Sequence, residues 1–371
     1  MAEYVIYDVN ISLVTPVHIG NGRELMYDFD YAVHNGKTWR INEDALLDAQ
    51  DVDDPRLAAQ LAQTPPAQLL RPADFAPETG YFRYVLDGTP RSTASGAQLR
   101  EQMKDPYDRP YLPGASLKGA LRTALGWYAW GARKLQPEMR RVGRNPKWAG
   151  QEYEKELFGR DPNNDLLRAL HVGDSEPLDA DALMIINARV LNRGGGAGSP
   201  IELEALRPDT NFKLTIKLDQ ALFSDWAKGA GLKLSGGNLL ANLPKVVQQH
   251  SQDRVKREAA WFSQIRGAQR LAQFYTQLDG ARLGSSRFLL QVGWGTGWDD
   301  KTFGSRLQTD KVFMERLIRD YRMARGRREE GDPFPKSRRM VVSFNRAADG
   351  RVAETPGSPL GWVLVEMKER K

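Results

Sequence analysis

The sequence predicts an α+β fold, a sheet with helices on one face. Three observations predict it. In the first segment Val5, Tyr7, Val9, Ile11 and Leu13 share one side, and Asp8, Asn10 and Ser12 the other. That period of two belongs to a half-buried strand. Leu117, Ala120, Leu121, Ala124, Leu125 and Tyr128 fall at i, i+3, i+4, i+7, i+8 and i+11. This is the buried stripe of an amphipathic helix. Phe212, Leu214, Ile216 and Leu218 then alternate with Lys213, Thr215 and Lys217, giving a second one-faced strand.

The elements follow in order. The first strand runs into Thr15-Pro16-Val17-His18-Ile19-Gly20-Asn21-Gly22, where proline and two glycines predict a loop. Residues 50–110 are rich in Pro, Asp, Ala and Gln with weak periodicity, so they are expected to form an insertion of loops and short helices. Pro113-Gly114 turns the chain into the amphipathic helix, with Ser116 as the expected N-cap. Lys118 and Arg122 share a second face of it at i, i+4. Strands are expected at 169–172 and 183–191, then a flexible loop at 194–198. Residues 238–278 look helical, and 287–292 reads as a short apolar strand. A helix follows with Phe313, Leu317 and Tyr321 on one side, and closing strands at 340–344 and 362–367. No period of 20–50 residues repeats, which excludes a solenoid. A length of 371 residues suggests two domains. They are placed at 1–220, with the insertion at about 50–110, and 221–371, with the helical segment and a glycine-rich loop.

Composition narrows the function. Hydrophobic residues make up 41%, enough for a core. No stretch of 18 apolar residues is present, so no membrane partner is expected. The opening MAEYVIYDVN reads as a strand, not a signal peptide. The absence of cysteine excludes disulfides, thiolate zinc sites and thiol nucleophiles, and fits a cytoplasmic location. His18, His34, His171 and His250 are too scattered to pair as metal ligands, so no metal is expected. Net charge is +6, which permits nucleic acid, an acidic partner or neither. The basic residues cluster. Arg140, Arg141, Arg144 and Lys147 crowd beside Trp148. Arg316, Arg319, Arg322, Arg325, Arg327 and Arg328 crowd a second segment, followed by Lys336, Arg338 and Arg339. Each cluster is either a binding patch or solvated surface charge.

The sharpest local feature is Gly293-Trp294-Gly295-Thr296-Gly297-Trp298, with Lys301 and Arg306 behind it. Alternate glycines let backbone N–H groups approach an anion. The tryptophans offer flat surfaces for bases, or pack in the core. Position 298 is Trp, which breaks the dinucleotide-binding glycine pattern, and Asp300 precedes Lys301-Thr302, which breaks the P-loop. No cofactor is therefore expected. The 18–22 loop and the helix N-terminus at 113–118 could also meet phosphate. Catalysis finds little support. Glu24, Asp28 and Asp30 cluster after the first loop and could hold a divalent metal, or Asp28 could assist RNA cleavage. Alternating acids on a strand are more often plain solvent-facing residues. No Gly-x-Ser-x-Gly elbow and no His-Glu-x-x-His helix is present.

At these motifs the chain resembles a known family. The 15–22 run, Tyr31 and the 39–47 stretch look like the start of a protein of the RAMP superfamily of CRISPR systems. Leu112-Pro113-Gly114-Ala115-Ser116-Leu117-Lys118-Gly119-Ala120-Leu121-Arg122 is similar to that superfamily's helix-entry motif, with Ala115 where Ser is common. The 293–297 loop with Lys301-Thr302 resembles its glycine-rich loop. The order and spread suit a subunit at the 3′ end of the guide in a type III-A (Csm) effector complex. The resemblance implies tandem ferredoxin-like (RRM-like) RAMP domains with helical and loop insertions. It implies crRNA as a partner, with the repeated backbone subunit, other Csm subunits, and host nucleases that trim the 3′ end. It implies a role in capping, maturation and assembly in antiviral defence, without catalysis by this subunit. The alternatives are an endoribonuclease that processes CRISPR RNA, or the equivalent subunit of a Cmr-type complex. The expected RNA-binding set is His18, Gly20, Asn21, Gly22, Ser116, Lys118, Arg122, Gly293, Trp294, Gly295, Thr296, Gly297, Trp298 and Lys301, converging on one face.

Overall fold

The computed structural model describes residues 4–50, 63–194, 198–324, 328–329, 331–346 and 352–370. The chain is α+β, with two curled sheets. The alternating first segment is β1 (Tyr4–Leu13), with Val9, Ile11 and Leu13 buried and Asp8 and Asn10 exposed. It lies at the centre of the first sheet. Antiparallel partners flank it: β10 (Asn211–Asp219) and β14 (Trp362–Glu369). Strand β7 (Leu170–Val172) extends the β10 side, and β11 (Arg287–Gln291) the β14 side.

Two long helices cover one face of this sheet. Helix α2 (Gly114–Ala132) connects β1 toward β7, and α6 (Leu243–Ser263) connects β10 toward β11. Their apolar stripes form one core with Val9, Ile11, Leu13, Phe288, Val363 and Val365. With its insertions removed, this sheet follows the order β-α-β-β-α-β-β, a ferredoxin-like β-α-β-β-α-β unit with one strand added. Position 220 falls just after β10, and β11 and β14 beyond it join β1 in one sheet, so a cut there would divide this sheet.

The second sheet is built from the segments between those strands. Its order is β2 (Gly20–Met26), β6 (Gln98–Gln102), β9 (Ile201–Leu206), β8 (Leu183–Asn192), β5 (Phe82–Asp87), β4 (Lys37–Ile41) and β3 (Tyr31–His34). Strand β12 (Ser337–Arg346) pairs with the far half of β8, and β13 (Val352–Pro356) pairs with β12. Helix α1 (Glu43–Asp48) follows β4 and is capped by the Asn42 side chain.

Three sequence expectations change here. The 50–110 insertion contains β5 and β6 as well as short helices, and 51–62 lies outside the described residues. Central sheet strands that pair on both edges do not need a long period-two signal. Gly20 to Gly22 belong to β2, whose register slips between Gly20 and Glu24, so they sit on a bulged edge and not in a free loop. The 238–278 helix is divided into α5 (Gly237–Ala241), α6 and α7 (Gln269–Asp279), after a short α4 (Asp225–Gly229). Helix α3 (Gln151–Phe158) packs on α2. After β11 come α8 (Gly304–Leu307) and α9 (Lys311–Asp320), the helix of Phe313 and Leu317.

Candidate nucleic-acid interface

His18 is 2% exposed. Its Nδ1 donates to the Glu204 carbonyl oxygen at 2.7 Å, since a carbonyl can only accept. Burial depresses its pKa to about 4, and the nearby Arg100 and Lys104 push the same way against that hydrogen bond. The ring is therefore neutral. Its other nitrogen packs on Gly20, where a Cβ would come within 2.9 Å. A buried network holds the strand that follows. The Glu204 carboxylate accepts from Lys104 Nζ at 2.6 Å, Tyr84 Oη at 2.8 Å and the Gln102 N–H at 3.0 Å. Asn21 Nδ2 donates to Glu101 at 2.7 Å, which commits its side chain to the strand.

The helix entry corrects the Ser116 cap. Helix α2 starts at Gly114, its N-cap position is Pro113, and no side chain caps it from that position. Ser116 stands one turn too late. The Asp174 carboxylate supplies the cap by accepting from the Gly114 N–H at 2.7 Å. Gly114 packs so tightly on the end of β7 that a Cβ would lie 2.3 Å from the Val172 carbonyl. Arg122 donates to Asp165 at 2.8 Å and Glu154 at 3.2 Å, and its guanidinium lies 3.9 Å from the Phe158 ring centre. Its charge is already balanced. Lys118 differs: among the described residues no ion pair holds its ammonium. Burial lowers its pKa, opposed by Asp165 and reinforced by Arg122.

Gly293, Gly295 and Gly297 have φ of +81°, +87° and +87°, a left-handed conformation at every second residue. The turn brings this loop into contact with the first motif. The Trp294 N–H donates to the His18 carbonyl at 2.7 Å, and the Trp294 ring meets the His18 ring edge-on at 6.2 Å. Arg100 and Arg339 lie over the Trp294 ring at 5.4 and 4.9 Å. Trp298 packs edge-on against Phe334 at 5.0 Å. Both tryptophans are half-buried.

The end of this loop is anchored from α6. Arg254 reaches Asp300 at 3.0 Å, Glu258 at 2.9 Å and Asp299 at 3.5 Å. Arg338 completes the group by donating to Glu258 at 2.8 Å. Arg254, Glu258, Asp299 and Asp300 are all buried. Burial raises the Asp300 carboxyl to about 6, although Arg254 pulls it down. The sequence carried a signal for this. Arg254 and Glu258 sit on the same stripe of α6 as Val247, His250, Val255 and Phe262. Charges on an apolar stripe read as buried partners.

The three motifs line one cleft of about 810 Å³. Gly20 comes from the first, Ser116 and Arg122 from the second, and Gly293, Trp294, Trp298 and Lys301 from the third. Its floor includes Trp130, Tyr153, Phe158, Phe303 and Phe313. Phe303 reaches it because Gly126 of α2 leaves room, a Cβ there lying 2.4 Å from the ring. Lys301 is exposed at the lip, and crowding lowers its pKa against the pull of Asp300. Lys118 lines a groove of about 650 Å³ that shares Ala115, Gly119, Arg122 and Glu154 with the cleft. Gly295, Thr296 and Gly297 turn away to a smaller cavity. His18, Asn21 and Gly22 line neither: His18 braces from behind, and the other two lie exposed beyond.

The basic clusters are largely paired. Arg140 meets Glu138, Arg141 meets Glu156, Arg316 and Arg319 meet Asp320, and Arg328 meets Glu315. Arg325 and Arg327 lie outside the described residues. Asp30 is held by Arg23 and Arg40 at 3.0 and 3.1 Å, and Glu24 lies 3.7 Å from Arg100. Burial raises the Asp28 carboxyl, countered by a hydrogen bond with Tyr27. No group of three His, Cys, Asp or Glu among the described residues could hold a metal ion. No described helix is long and apolar enough to cross a membrane.

Two buried histidines set an acid limit on stability. His250, 3% exposed, is depressed to about 3 by burial, then by Arg254 and Arg306. Unfolding frees His18 and His250 to bind protons near pH 6.5 that the folded state refuses. Their stabilising contribution is complete above about 6.5 and is lost as pH falls toward 4 and 3. Asp300, raised in the fold, offsets part of this between about 6 and 4. Between pH 7 and 5, His250→Leu should lose less stability than the parent by about 2 kcal/mol. Urea unfolding at the two pH values measures it, and equal losses would contradict the assignment.

With this geometry in place, the chain can be compared with known proteins. A family model described as the RAMP superfamily matches residues 10–298. The CRISPR system Cms protein Csm5 of Streptococcus thermophilus is 25% identical over 260 residues, covering 59% of this chain and 66% of that protein. Its counterpart in Methanocaldococcus jannaschii is 27% identical over 229 residues, covering 59% of this chain and 54% of that protein. The alignments thus span just over half to two thirds of these relatives' lengths. The fold is similar, at TM-score 0.70 and 21% identity over 97% of this chain, to a chain covered in full in a cryo-EM structure of a type III-A Csm-crRNA-target RNA ternary complex. It is also similar to the crystal structure of T. onnurineus Csm5, at TM-score 0.65 and 21% identity, covering 95% of this chain and 99% of that one. The match of the family model over most of the length settles the family: the chain belongs to the RAMP superfamily.

Proposed function

We propose that this chain is a crRNA-binding subunit of a type III-A (Csm) CRISPR complex, positioned at the 3′ end of the guide. The observation that carries this reading is the meeting of three separate glycine-containing motifs on one cleft. The sequence similarity to Csm5 proteins supports it. Backbone at Gly20 and Gly293 approaches phosphates without side-chain obstruction. Lys118 and Lys301 supply positive charge from either side of Arg122. The aromatic floor accepts bases. Its partners are crRNA, the repeated backbone subunit and the other Csm subunits, with host nucleases trimming the 3′ end, and its place is the cytoplasm. The subunit holds RNA without cleaving it. The enclosure of His18 and the ion pairs of Asp30 support that part.

The test is RNA affinity as a function of salt. The Lys118→Ala, Lys301→Ala double variant should bind single-stranded RNA roughly tenfold more weakly per lysine. Its log affinity against log salt should flatten by about 0.7 per lost phosphate contact. Unchanged affinity and slope would remove these lysines from the interface. Cleavage of repeat RNA by the pure protein, abolished by Asp28→Ala, would make it a nuclease instead.

A further inference from the structure

Behind the 293–298 loop lies a second cavity of about 210 Å³, and Trp298 is the residue that lines both it and the cleft. Three buried polar atoms around it have no hydrogen-bond partner among the described residues: Arg254 Nη1, Gln291 Oε1 and Thr296 Oγ1. Arg254 Nη1 lies 3.5 Å from Asp299. An unpartnered buried polar group is costly to a fold, and three together mark a place for a guest with matching groups. The cavity offers a donor, an acceptor and a hydroxyl that can be either. Its walls include the rings of Trp298, Tyr275 and Phe262.

Charge and size narrow the guest. Arg254, Arg338 and Arg339 face Glu258 and Asp299, with Asp300 bonded to Arg254, so guanidiniums and carboxylates balance. A phosphate would meet the carboxylates, and a metal ion would meet an N–H. The volume is several times the ~30 Å³ of one water and below the ~300 Å³ of a drug-sized pocket. A neutral, flat ring with a donor–acceptor edge fits all three conditions. We propose that this cavity receives one base extruded from the bound RNA, read on its edge by Gln291, Thr296 and Arg254. The phosphates on either side of that base would cross the glycine loop, where backbone is bare. This rests on the RNA-binding reading above.

An abasic scan tests it. A single-stranded oligoribonucleotide is made with one abasic site at each position in turn, and affinity for the full chain is measured. One position should cost roughly tenfold and the others little. Thr296→Val, which replaces an unpartnered hydroxyl by an isosteric methyl, should keep the parent's melting temperature and remove that positional penalty. Gln291→Leu should remove it from a second wall. A flat scan with RNA binding intact would overturn the base pocket and leave the RNA-binding reading standing. A positional penalty that survives in both variants would place the base elsewhere and also overturn it. Absence of binding to any RNA would overturn both.

Discussion

Arg254→Ala should destabilise the protein by about 3–5 kcal/mol, the cost of leaving buried charges without their partner. Arg254 is 2% exposed and holds three carboxylates, two of them in the 299–300 pair that ends the glycine loop. Removing the guanidinium leaves Glu258 to Arg338 alone and Asp300 without an ion-pair partner among the described residues. Asp300 would then take up a proton, since burial already raises its carboxyl to about 6 with Arg254 present. Arg254→Lys should not rescue, because one ammonium cannot reach three acids in the directions a planar guanidinium does. Adding Asp300→Asn to Arg254→Ala should recover part of the loss, since a neutral amide tolerates burial better than a lone carboxylate. Denaturant titration of the two single variants and the double variant measures this. A loss below about 1 kcal/mol for Arg254→Ala would show that the network is not what fixes the loop.

Gly293→Ala should couple a stability loss to a loss of RNA binding. A side chain at φ +81° costs about 1–3 kcal/mol in backbone strain alone. At this position the Cβ would also lie 2.4 Å from the His18 carbonyl, the acceptor of the Trp294 N–H bond. The clash pushes apart the two motifs whose contact forms one wall of the cleft. Gly297→Ala is the control. Its φ is +87°, yet nothing lies within 4 Å of the added methyl. It should cost only the strain and leave His18 and Trp294 in contact. The expected result is that Gly293→Ala melts lower than Gly297→Ala and binds single-stranded RNA at least tenfold more weakly than that control. Equal behaviour would mean that the close approach to His18 does not matter.

The first sheet and its helices were legible because their residues bury one face. Val9, Ile11 and Leu13 repeat at two, and Leu117, Leu121, Ala124 and Leu125 repeat near 3.6. The second sheet was not. Strands β5 and β6 are short, and they pair with partners more than 80 residues away on β8 and β9. Local pattern carries little of that. The site divides the same way. The motifs named Gly20, Gly293 and Lys301 because glycine spacing and lone cations are local signals. They could not show that Arg122 is spent on Asp165 and Glu154, or that His18 faces inward to the Glu204 carbonyl. Those partners lie 43, 32 and 186 residues away. Ser116 failed as a cap because Asp174, from beyond β7, already holds the Gly114 N–H. A side chain brought in by tertiary packing replaced the local one.

The proposed RNA-binding cleft is assembled from three motifs far apart in sequence. The most direct measurement is photocrosslinking of this chain, co-expressed with its neighbouring genes and a CRISPR array, to guide RNA carrying 4-thiouridine, followed by mapping of the crosslinked peptides. Crosslinks are expected in 19–22, 115–122 and 293–303 from the same 3′ segment of the guide. Crosslinks confined to one of these segments, or to the α4 and α5 side of the molecule, would contradict it.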